Sequence, residues 1–399
     1  MWNNPQVIQF QVDSREVKPG DLFCALEGER TDGHHYVQEA LQKGASFCLV
    51  KKRYQTPFED RRVIYVDDPL TTLQEWAKNR LTSEKTTVIG ITGSLGKTTT
   101  KEFLKTLLEK RFSLWASPKN YNSQIGLPLS VLNAPQGKTH MILEMGMTKK
   151  GHIQKLVEIA PPKVALINNI SYVHIENFSN LEGIWEAKQE IFSHPNTKVR
   201  LIHHSLRKYC QDPSVLTFGE EPLSCKLPFT EKPFIWNFMA ARAVAKTLGL
   251  DEEEIAKRAA CLKAPSKRFE KCEVGGVLWI NDAYNASIDS IRFALESLPK
   301  VSGKKWAVLG PMVELGTYSQ KLHEEVGRLA AKYADATYSF GEEGRWIVAS
   351  CRKAGGFARH FPSKRTLFLQ SMRSAKRGDV VLVKASRKYA LDEIFSFFS

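Results

Sequence analysis

The sequence predicts an α/β fold of three units, each built around a mostly parallel sheet. Short β-branched apolar runs alternate with helical segments along the 399-residue chain, and polar stretches break this alternation at 82–85 (TSEK) and 263–269 (KAPSKRF). Such alternation is typical of parallel strands joined by crossover helices. We therefore predict a first unit at residues 1–83, a central unit of P-loop type at 84–263 and a Rossmann-like C-terminal unit at 264–399.

The first unit contains several short apolar segments and one amphipathic segment. Strands are expected within VIQFQVDSR, DLFCALEG, ASFCLV and RVIYVDD, and a helix is expected near YVQEALQKG. We interpret TSEK as the polar join to the central unit.

The central unit opens with the strand TVIGIT, and further strands are expected in THMILEMG and KVALINNI. Helices are expected at NFMAARAVAKTLG and LDEEEIAKRAACLK, whereas residues 194–233 carry several prolines and no clear period. In the C-terminal unit, strands are expected in GVLWIND, KWAVLG, ATYSFG and DVVLVKAS, and helices near 288–298 and 319–333.

The composition is that of an ordinary globular protein, with 42% hydrophobic and 25% charged residues. No apolar run is long enough to span a membrane, and the N-terminus lacks the pattern of a secretion signal. The seven cysteines form no CxxC pair. We therefore expect reduced thiols in a cytoplasmic protein.

The formal charge of +14 permits two interpretations. A basic protein can bind nucleic acid, or it can be an enzyme that acts on polyanionic small molecules. Lysine and arginine are spread along the chain, and no nucleic-acid-binding module accompanies them. The charge therefore decides little.

A glycine-rich turn in the central unit indicates a phosphate site. The turn lies between the strand TVIGIT and an amphipathic helix, and it reads Gly93-Ser94-Leu95-Gly96-Lys97-Thr98-Thr99. Backbone N–H groups at such a helix start bind phosphate oxygens, and the lysine reaches the terminal phosphates. The usual pattern has a further glycine five residues before Gly96, where this chain has Ile91.

Reactive residues follow three strands of the central unit. Lys97 and Thr98 follow the first strand, Glu144 ends the second, and His174 lies just beyond the third. Ligands of open parallel sheets bind beyond the carboxyl ends of the strands. A lysine, a hydroxyl, a carboxylate and an imidazole in one crevice suit ATP-driven chemistry with Mg²⁺.

Each of these residues also has a simpler interpretation when it is taken alone. Glu144 could be an ordinary strand-end acid, His174 a structural histidine and Lys188 a solvated helix lysine. The segment from Asp282 to Asn285 could be a plain turn after a strand. The order and company of these residues favour the functional interpretation.

Taken together, the motifs resemble those of the Mur ligases, the ATP-dependent amide-forming enzymes of peptidoglycan synthesis. In that family the loop has the short form T-G-x-x-G-K-T-T. This form lacks the early glycine, which explains why Ile91 can stand at that position. The resemblance spans nearly the whole chain and is carried by DSREVKPGDLFCALEGERTDGHHYVQEALQKGA (13–45), NYNSQIGLPLSVL (120–132), LEMGM (143–147), NNISYVHIENFSNLEGIWEAKQEI (168–191), NDAYNASIDSIRFAL (281–295), VLGPMVELG (308–316) and VLVKASR (381–387).

Within the family, DAYNA followed by VLGPMVELG resembles the member that adds D-alanyl-D-alanine. The sister that adds the third peptide residue carries Tyr-Ala-His and Asp-Asn-Pro-Arg elements, which this sequence lacks. The resemblance implies a ligase that joins D-alanyl-D-alanine to UDP-N-acetylmuramoyl-tripeptide through an acyl phosphate. It also implies a monomer that binds no nucleic acid.

The resemblance implies roles for individual residues. ATP would be bound by Gly93, Ser94, Gly96, Lys97, Thr98, Thr99, Asn237, Arg268, Asp282, Tyr284 and Asn285. Two Mg²⁺ ions would be held by Thr98, Glu144, His174 and Lys188, with Lys188 as a CO₂-derived carbamate; Lys97, Glu144, His174 and Lys188 would be catalytic. The UDP-sugar peptide would contact Asp13, Ser14, Arg15, Asn120, Ser123, Lys384, Ser386 and Arg387.

The sequence departs from the family pattern at a few positions. Pro233 and Phe234 stand where the family has His-Asn before Asn237, Pro311 stands in place of Asp, and Ala385 in place of Gly. The region 193–235 is also shorter than usual. These changes predict weaker nucleotide affinity with intact phosphate and metal ligands.

Two alternative functions are also compatible with the phosphate loop or with the basic charge. A folylpolyglutamate synthase would share the loop, but Asp13-Ser14-Arg15 and DAYNA argue against it. A basic nucleic-acid-binding ATPase would leave Glu144, His174 and Lys188 without a role, and no interleaving of aromatic and basic residues supports it.

Overall fold

The computed structural model describes residues 3–4, 6–28, 31–54, 56–118, 120–223 and 225–398. Residues 29–30 of the first-unit motif therefore lie outside the described residues. The predicted fold class is confirmed, because the chain forms three α/β units whose sheets are mostly parallel. Within the described residues, no helix combines the length and the apolar character needed to cross a membrane.

The first unit has a parallel sheet of order β1-β2-β3-β4. Its elements are β1 (Phe10–Gln11), β2 (Leu22–Cys24), α1 (Val37–Gln42), β3 (Phe47–Lys51), β4 (Val63–Val66) and α2 (Pro69–Ser83). Helix α2 was not predicted, and it includes half of the supposed TSEK join. Its start signal was present, since the Asp68 side chain accepts a hydrogen bond from Thr71 N and Pro69 occupies the first turn.

The central unit has a parallel six-stranded sheet of order β10-β9-β8-β5-β7-β6. Its strands are β5 (Thr87–Thr92), β6 (Leu114–Ala116), β7 (His140–Glu144), β8 (Val164–Ile167), β9 (Val199–His203) and β10 (Leu216–Phe218). Its helices are α3 (Lys97–Leu108), α4 (Gly126–Leu132), α5 (His152–Ile159), α6 (Leu181–Lys188), α7 (Lys232–Thr247) and α8 (Glu252–Ala259). Strands β9 and β10 come from the region in which no element was predicted.

The C-terminal unit has a six-stranded sheet of order β11-β12-β16-β13-β14-β15, in which only the β11–β12 pair is antiparallel among the described pairings. Its strands are β11 (Glu270–Val274), β12 (Val277–Asn281), β13 (Lys305–Leu309), β14 (Ala336–Phe340), β15 (Ala358–Phe361) and β16 (Val380–Lys384). Its helices are α9 (Ile288–Glu296), α10 (Ser319–Tyr333), α11 (Gly344–Lys353) and α12 (Lys364–Ser374).

Strand β5 lies inside the sheet of the central unit and leads into the glycine loop. It lies between β8 and β7, and the chain places later strands on both sides of it. Ile89 and Ile91 of β5 are fully buried, as are Phe103 and Leu107 of α3. The glycine loop after β5 therefore rests on a rigid platform, at the point of an open parallel sheet where ligands bind.

Candidate active site

The glycine loop after β5 is held in place by two residues of one neighbouring segment. Leu95 N donates to Asn169 Oδ1 at 2.8 Å, and Asn169 Nδ2 donates to Leu95 O at 3.1 Å. The Ser94 hydroxyl accepts from Ser171 N at 2.9 Å. Both tethers come from the segment that follows β8, so the loop is fixed to the neighbouring strand.

Gly96 meets a buried asparagine of α7. Its φ is +78°, and a Cβ at this position would lie 2.0 Å from Asn237 Oδ1. That oxygen also accepts from Thr100 Oγ1 at 3.2 Å, and Thr100 Oγ1 accepts from Asn168 Nδ2 at 2.9 Å. Only glycine fits between the loop and α7. Asn237 thus packs against the loop that was predicted to hold phosphate.

Lys97 begins α3 and folds back over the loop. Its Nζ donates to Gly93 O at 2.7 Å, and the side chain is half-buried. Burial lowers the pKa of Lys97, the carboxylate of Glu144 opposes that shift, and Arg268 adds to it. The ammonium therefore sits at the junction of the glycine loop, β7 and the C-terminal unit.

Buried oxygen atoms without a hydrogen bond mark the carboxyl ends of the three central strands. Among the described residues, these are Thr92 Oγ1 of β5, Glu144 Oε1 of β7 and Asn168 Oδ1 after β8. Glu144 Oε1 lies 3.3 Å from Lys101 Nζ, which itself donates to Ser117 O at 2.5 Å. Oxygen ligands are those that Mg²⁺ prefers, so this donor set fits a hard cation.

His174 faces the C-terminal unit as well as the crevice. It adopts a left-handed backbone with φ 61°, and its Nδ1 lies against Glu314 Oε2. The adjacent imidazole of His174 holds the pKa of the Glu314 carboxyl below its usual range.

Lys188, the last residue of α6, is only 3% exposed. Burial lowers the pKa of Lys188 far below that of a free lysine, and the positive charge of Lys97 adds to the shift. Among the described residues, no carboxylate lies within ion-pair distance of its amine. Both influences disfavour the protonated form of this amine. The burial of Lys188 corrects the simpler interpretation as a solvated helix lysine.

The C-terminal unit closes the crevice with the loop after β12. Asp282 accepts from Phe269 N at 3.1 Å and from Lys384 Nζ at 2.6 Å. Lys384 Nζ also donates to Asn285 O at 3.0 Å, and the Arg268 guanidinium lies 4.3 Å above the Tyr284 ring. Lys384 was predicted as a substrate contact, and here it anchors the predicted nucleotide loop.

Two adjoining cavities lie over the strand ends. The first, of about 360 Å³, is lined among others by Ser94, Gly96, Lys97, Thr98, Thr99, Asn120, Glu144, His174, Asn237, Arg268, Asp282, Tyr284, Asn285 and Lys384. The second, of about 540 Å³, is lined among others by Gly93, Ser94, Lys97, Ser123, His174 and Lys188. Lys97 and His174 line both cavities. The structure thus brings together most of the predicted ATP and metal residues.

Some predicted substrate residues lie apart from these cavities. Asp13 pairs with Arg15 at 2.6 Å, which lowers the pKa of Asp13 to about 2, and Ser14 is buried beside Glu39. Ser386 is buried, and its N donates to Pro311 O at 3.2 Å. The exposed Arg387 lies 5.5 Å from the Tyr284 ring centre.

The first cavity is also lined by Trp236, Phe293 and Glu231, which the sequence analysis did not identify. Trp236 of α7 packs edge-on against Phe293 of α9, with ring centres 4.8 Å apart. Pro233 and Phe234 complete this apolar wall, and Glu231 pairs with Lys271 at 2.7 Å across the two units. The sequence did contain one signal for this wall, because the aromatic residue Trp236 directly precedes Asn237, which was predicted to bind ATP.

Comparison with known proteins identifies relatives over nearly the whole chain. Residues 8–80, 91–224 and 267–387 match the profiles of the Mur ligase family catalytic domain, the Mur ligase middle domain and the Mur ligase glutamate ligase domain, respectively. The UDP-N-acetylmuramoyl-tripeptide–D-alanyl-D-alanine ligase of Bacillus subtilis is 33% identical, over 98% of this chain and 94% of its own. The enzyme of the same name from Rickettsia prowazekii is 32% identical, over 99% and 96%.

Solved structures of MurF ligases are also similar to this chain over nearly its whole length. The crystal structure of MurF ligase from Thermotoga maritima in complex with ADP superposes with a TM-score of 0.83 at 32% identity, over 98% of this chain and 97% of that one. A MurF structure from Acinetobacter baumannii superposes with a TM-score of 0.85 at 25% identity, over 98% and 93%.

Proposed function

The chain belongs to the Mur ligase family, and on this premise we propose that it joins D-alanyl-D-alanine to UDP-N-acetylmuramoyl-tripeptide at the expense of ATP. The main support for this proposal is that two adjoining cavities are lined by Lys97, Glu144, His174 and Lys188. The named activity of the relatives supports the choice of substrates. We further propose the domain limits 1–83, 84–263 and 264–399, a cytoplasmic location and a monomeric state.

The nucleotide phosphates bind at the glycine loop. The start of α3 presents free N–H groups, and the hydroxyls of Thr98 and Thr99 lie in the same turn. Lys97 exchanges its bond to Gly93 O for the terminal phosphates. The base and ribose lie toward Asn237, Arg268 and the Asp282–Asn285 loop, with Trp236 and Phe293 as an apolar wall for the base.

Mg²⁺ fits the oxygens and the imidazole at the strand ends. Thr98, Glu144 and His174 would hold it, and when bound it would neutralise the charge of the phosphates during transfer. Glu144 supports this role because its carboxylate is buried with unused hydrogen-bonding capacity among the described residues.

Lys188 is proposed to act as a carbamate. Its neutral amine adds to the carbon of CO₂, a C–N bond forms, and the nitrogen releases a proton. The unprotonated amine thereby becomes an anionic group that would attract a metal ion in the second cavity. The depressed pKa and the burial of Lys188 support this reaction, since only the unprotonated amine is nucleophilic.

The reaction then proceeds in two steps. The terminal carboxylate of the tripeptide attacks the γ-phosphorus, ADP leaves, and an acyl phosphate forms. The amine of D-alanyl-D-alanine attacks the activated carbonyl carbon, and phosphate leaves as the amide forms. Lys97, which lines both cavities, holds the phosphoryl group between the two steps. The C-terminal unit covers the crevice and excludes water, which would hydrolyse the acyl phosphate.

The muramoyl peptide enters from the second cavity. Ser123 lines this cavity and accepts a hydrogen bond from Gly126 N at 3.1 Å, and Asn120 lines the adjoining first cavity. Asp13, Ser14 and Arg15 are assigned to the uridine end, and Ser386 and Arg387 to the peptide side of the C-terminal unit. Lys384 is better supported as the anchor of Asp282 than as a substrate contact.

The proposal is tested by phosphate release with ATP, Mg²⁺, bicarbonate and UDP-N-acetylmuramoyl-tripeptide. Tripeptides with meso-diaminopimelate or lysine at the third position are compared, each with and without D-alanyl-D-alanine. We expect release that requires both substrates, and a product heavier by the dipeptide minus water. Lys97→Ala serves as the inactive control. Release without dependence on D-alanyl-D-alanine, or stimulation by nucleic acid, would contradict the proposed activity.

A further inference from the structure

We propose that Glu314 is a positioning residue that fixes the imidazole of His174 when the C-terminal unit docks on the central unit. The inference rests on the proposed function, because it concerns the metal ligand assigned to that site. The two residues come from different units, His174 from the segment after β8 and Glu314 from the segment after β13.

The contact between these segments is built from both main chain and side chains. The Glu314 carboxylate pairs with His174 Nδ1, and Glu314 O accepts from Glu176 N at 3.3 Å. Tyr318 OH donates to Ser179 O at 2.9 Å. The loop that carries His174 is thus attached at several points to the C-terminal unit.

Both partners have an unfavourable backbone. His174 and Glu314 each have a φ of 61°, which is uncommon for residues other than glycine. Such conformations cost about 1 kcal/mol or more, and they persist where the surroundings enforce them. Two strained residues in one contact indicate that the docked arrangement determines where each side chain points.

The chemistry of the imidazole gives the contact its purpose. A carboxylate that accepts a proton-bearing Nδ1 fixes the neutral tautomer and leaves Nε2 with a free lone pair. His174 lines both cavities, so this second nitrogen is available to the predicted metal site. Because the carboxylate belongs to the other unit, docking of the two units and orientation of the ligand become one event.

The first experiment measures the tautomer of His174 directly. Long-range ¹H–¹⁵N correlation on protein labelled at histidine nitrogens, loaded with ADP and Mg²⁺, is assigned by loss of the signal in His174→Gln. We expect the proton on Nδ1. A proton on Nε2 in the wild-type protein would overturn the inference, whatever the variants do.

The second experiment measures Mn²⁺ affinity by electron paramagnetic resonance in the presence of ADP, without peptide substrates. Glu314→Ala should weaken Mn²⁺ binding by about 10- to 100-fold. Glu314→Gln, which keeps an acceptor oxygen, should recover most of that loss. Glu176→Gln is the matched control, since Glu176 is an exposed carboxylate in the same contact region.

Equal Mn²⁺ affinity in Glu314→Ala and Glu176→Gln would contradict the inference. Circular dichroism of each variant checks that the fold is intact, and the tautomer measurement decides the matter if Glu314→Ala fails to fold. Both experiments omit D-alanyl-D-alanine. A wrong assignment of the ligation substrates would therefore leave their outcome unchanged and would appear only in the product assay.

Discussion

Two buried lysines of the central unit differ in their surroundings. The region around Lys101 on α3 supplies carboxylate oxygens of Glu144 and Glu102 at 3.3 Å and 3.1 Å, and the carbonyl of Ser117. The region around Lys188 supplies no carboxylate among the described residues, and Lys97 lies on the same cavity. Two lysines that are both buried can therefore have opposite surroundings, because the amine of Lys101 lies against carboxylate oxygens whereas that of Lys188 lies near a second cation.

The largest expected effect is a loss of stability on breaking the pair between Lys101 and Glu144. Lys101→Met leaves the Glu144 carboxylate, which is 1% exposed, without its cation. The free energy of unfolding should fall by about 3–5 kcal/mol, measured by chemical denaturation. Lys105→Met, at an exposed position of the same helix, is the control and should change little.

The double variant Lys101→Met with Glu144→Gln sharpens that test. Removing both charges should recover a large part of the loss, because no unpaired ion stays buried. An additive loss in the double variant would show that packing, and not the ion pair, accounts for the effect.

The next effect concerns activity on the Lys188 side. Lys188→Ala should lower the ligation rate by about 100-fold or more, with partial recovery on addition of acetate as a small carboxylate. The wild-type enzyme should lose activity in CO₂-depleted buffer and regain it with bicarbonate. Lys155→Ala, at an exposed position of α5, should match the wild type. Insensitivity of the wild type to CO₂ would rule out the carbamate.

A third buried lysine, Lys384, resembles Lys101 because oxygen atoms of a carboxylate and of carbonyl groups surround its amine. Lys384 is 2% exposed and is surrounded by oxygen acceptors, chiefly the Asp282 carboxylate. Lys384→Met should raise the KM for ATP by about 10-fold, equivalent to about 1.4 kcal/mol, with a smaller change in kcat. The exposed Lys388→Met is the control. A change in the KM for the peptide alone would favour the original substrate role.

The smallest expected effect is an increase in the free energy of unfolding when Lys188 is replaced, whereas replacing Lys101 should lower it. The pKa of Lys188 is depressed in the folded protein, so the unfolded chain binds more protons from that depressed value up to about pH 10.5. Below the free-lysine pKa, Lys188 therefore costs stability, and stability rises with pH. Lys188→Met should stabilise the CO₂-free protein at neutral pH by at least about 1 kcal/mol.

That gain should shrink as the pH approaches 10.5. Urea denaturation at several pH values measures it, and Lys155→Met serves as the reference. A gain that does not depend on pH would mean that Lys188 keeps its proton in the folded state.

The sequence predicted the parts of the site that follow strands directly. Lys97, Glu144 and His174 converge because the carboxyl ends of parallel strands meet at one edge, and a glycine turn between strand and helix has a strong local pattern. Family resemblance added Lys188, whose helical spacing alone indicated an ordinary surface lysine. The confirmed fold class rested on the same local alternation.

Contacts between distant segments were beyond the sequence patterns. Nothing near Lys101 indicates that Glu144 lies against it, and nothing near Glu314 indicates that it reaches His174. Helix α2 was missed although Asp68-Pro69 is a helix-start signal, and β9 and β10 were missed because prolines and turns surround these short strands. The two contacts depend on packing between segments that are far apart in the chain, which a single sequence does not display.

The shared wall between the two cavities has a consequence for inhibitor design. Because Lys97 and His174 line both cavities, a molecule that passes between these side chains would occupy the proposed nucleotide site and the proposed muramoyl-peptide site at once. Joining two weak fragments with a linker of matching length turns the second binding event into an intramolecular one, with a gain in avidity that can reach about 10²-fold or more. An anionic linker would also meet the cation of Lys97 at the passage, so its charge, as well as its length, becomes a selectable property.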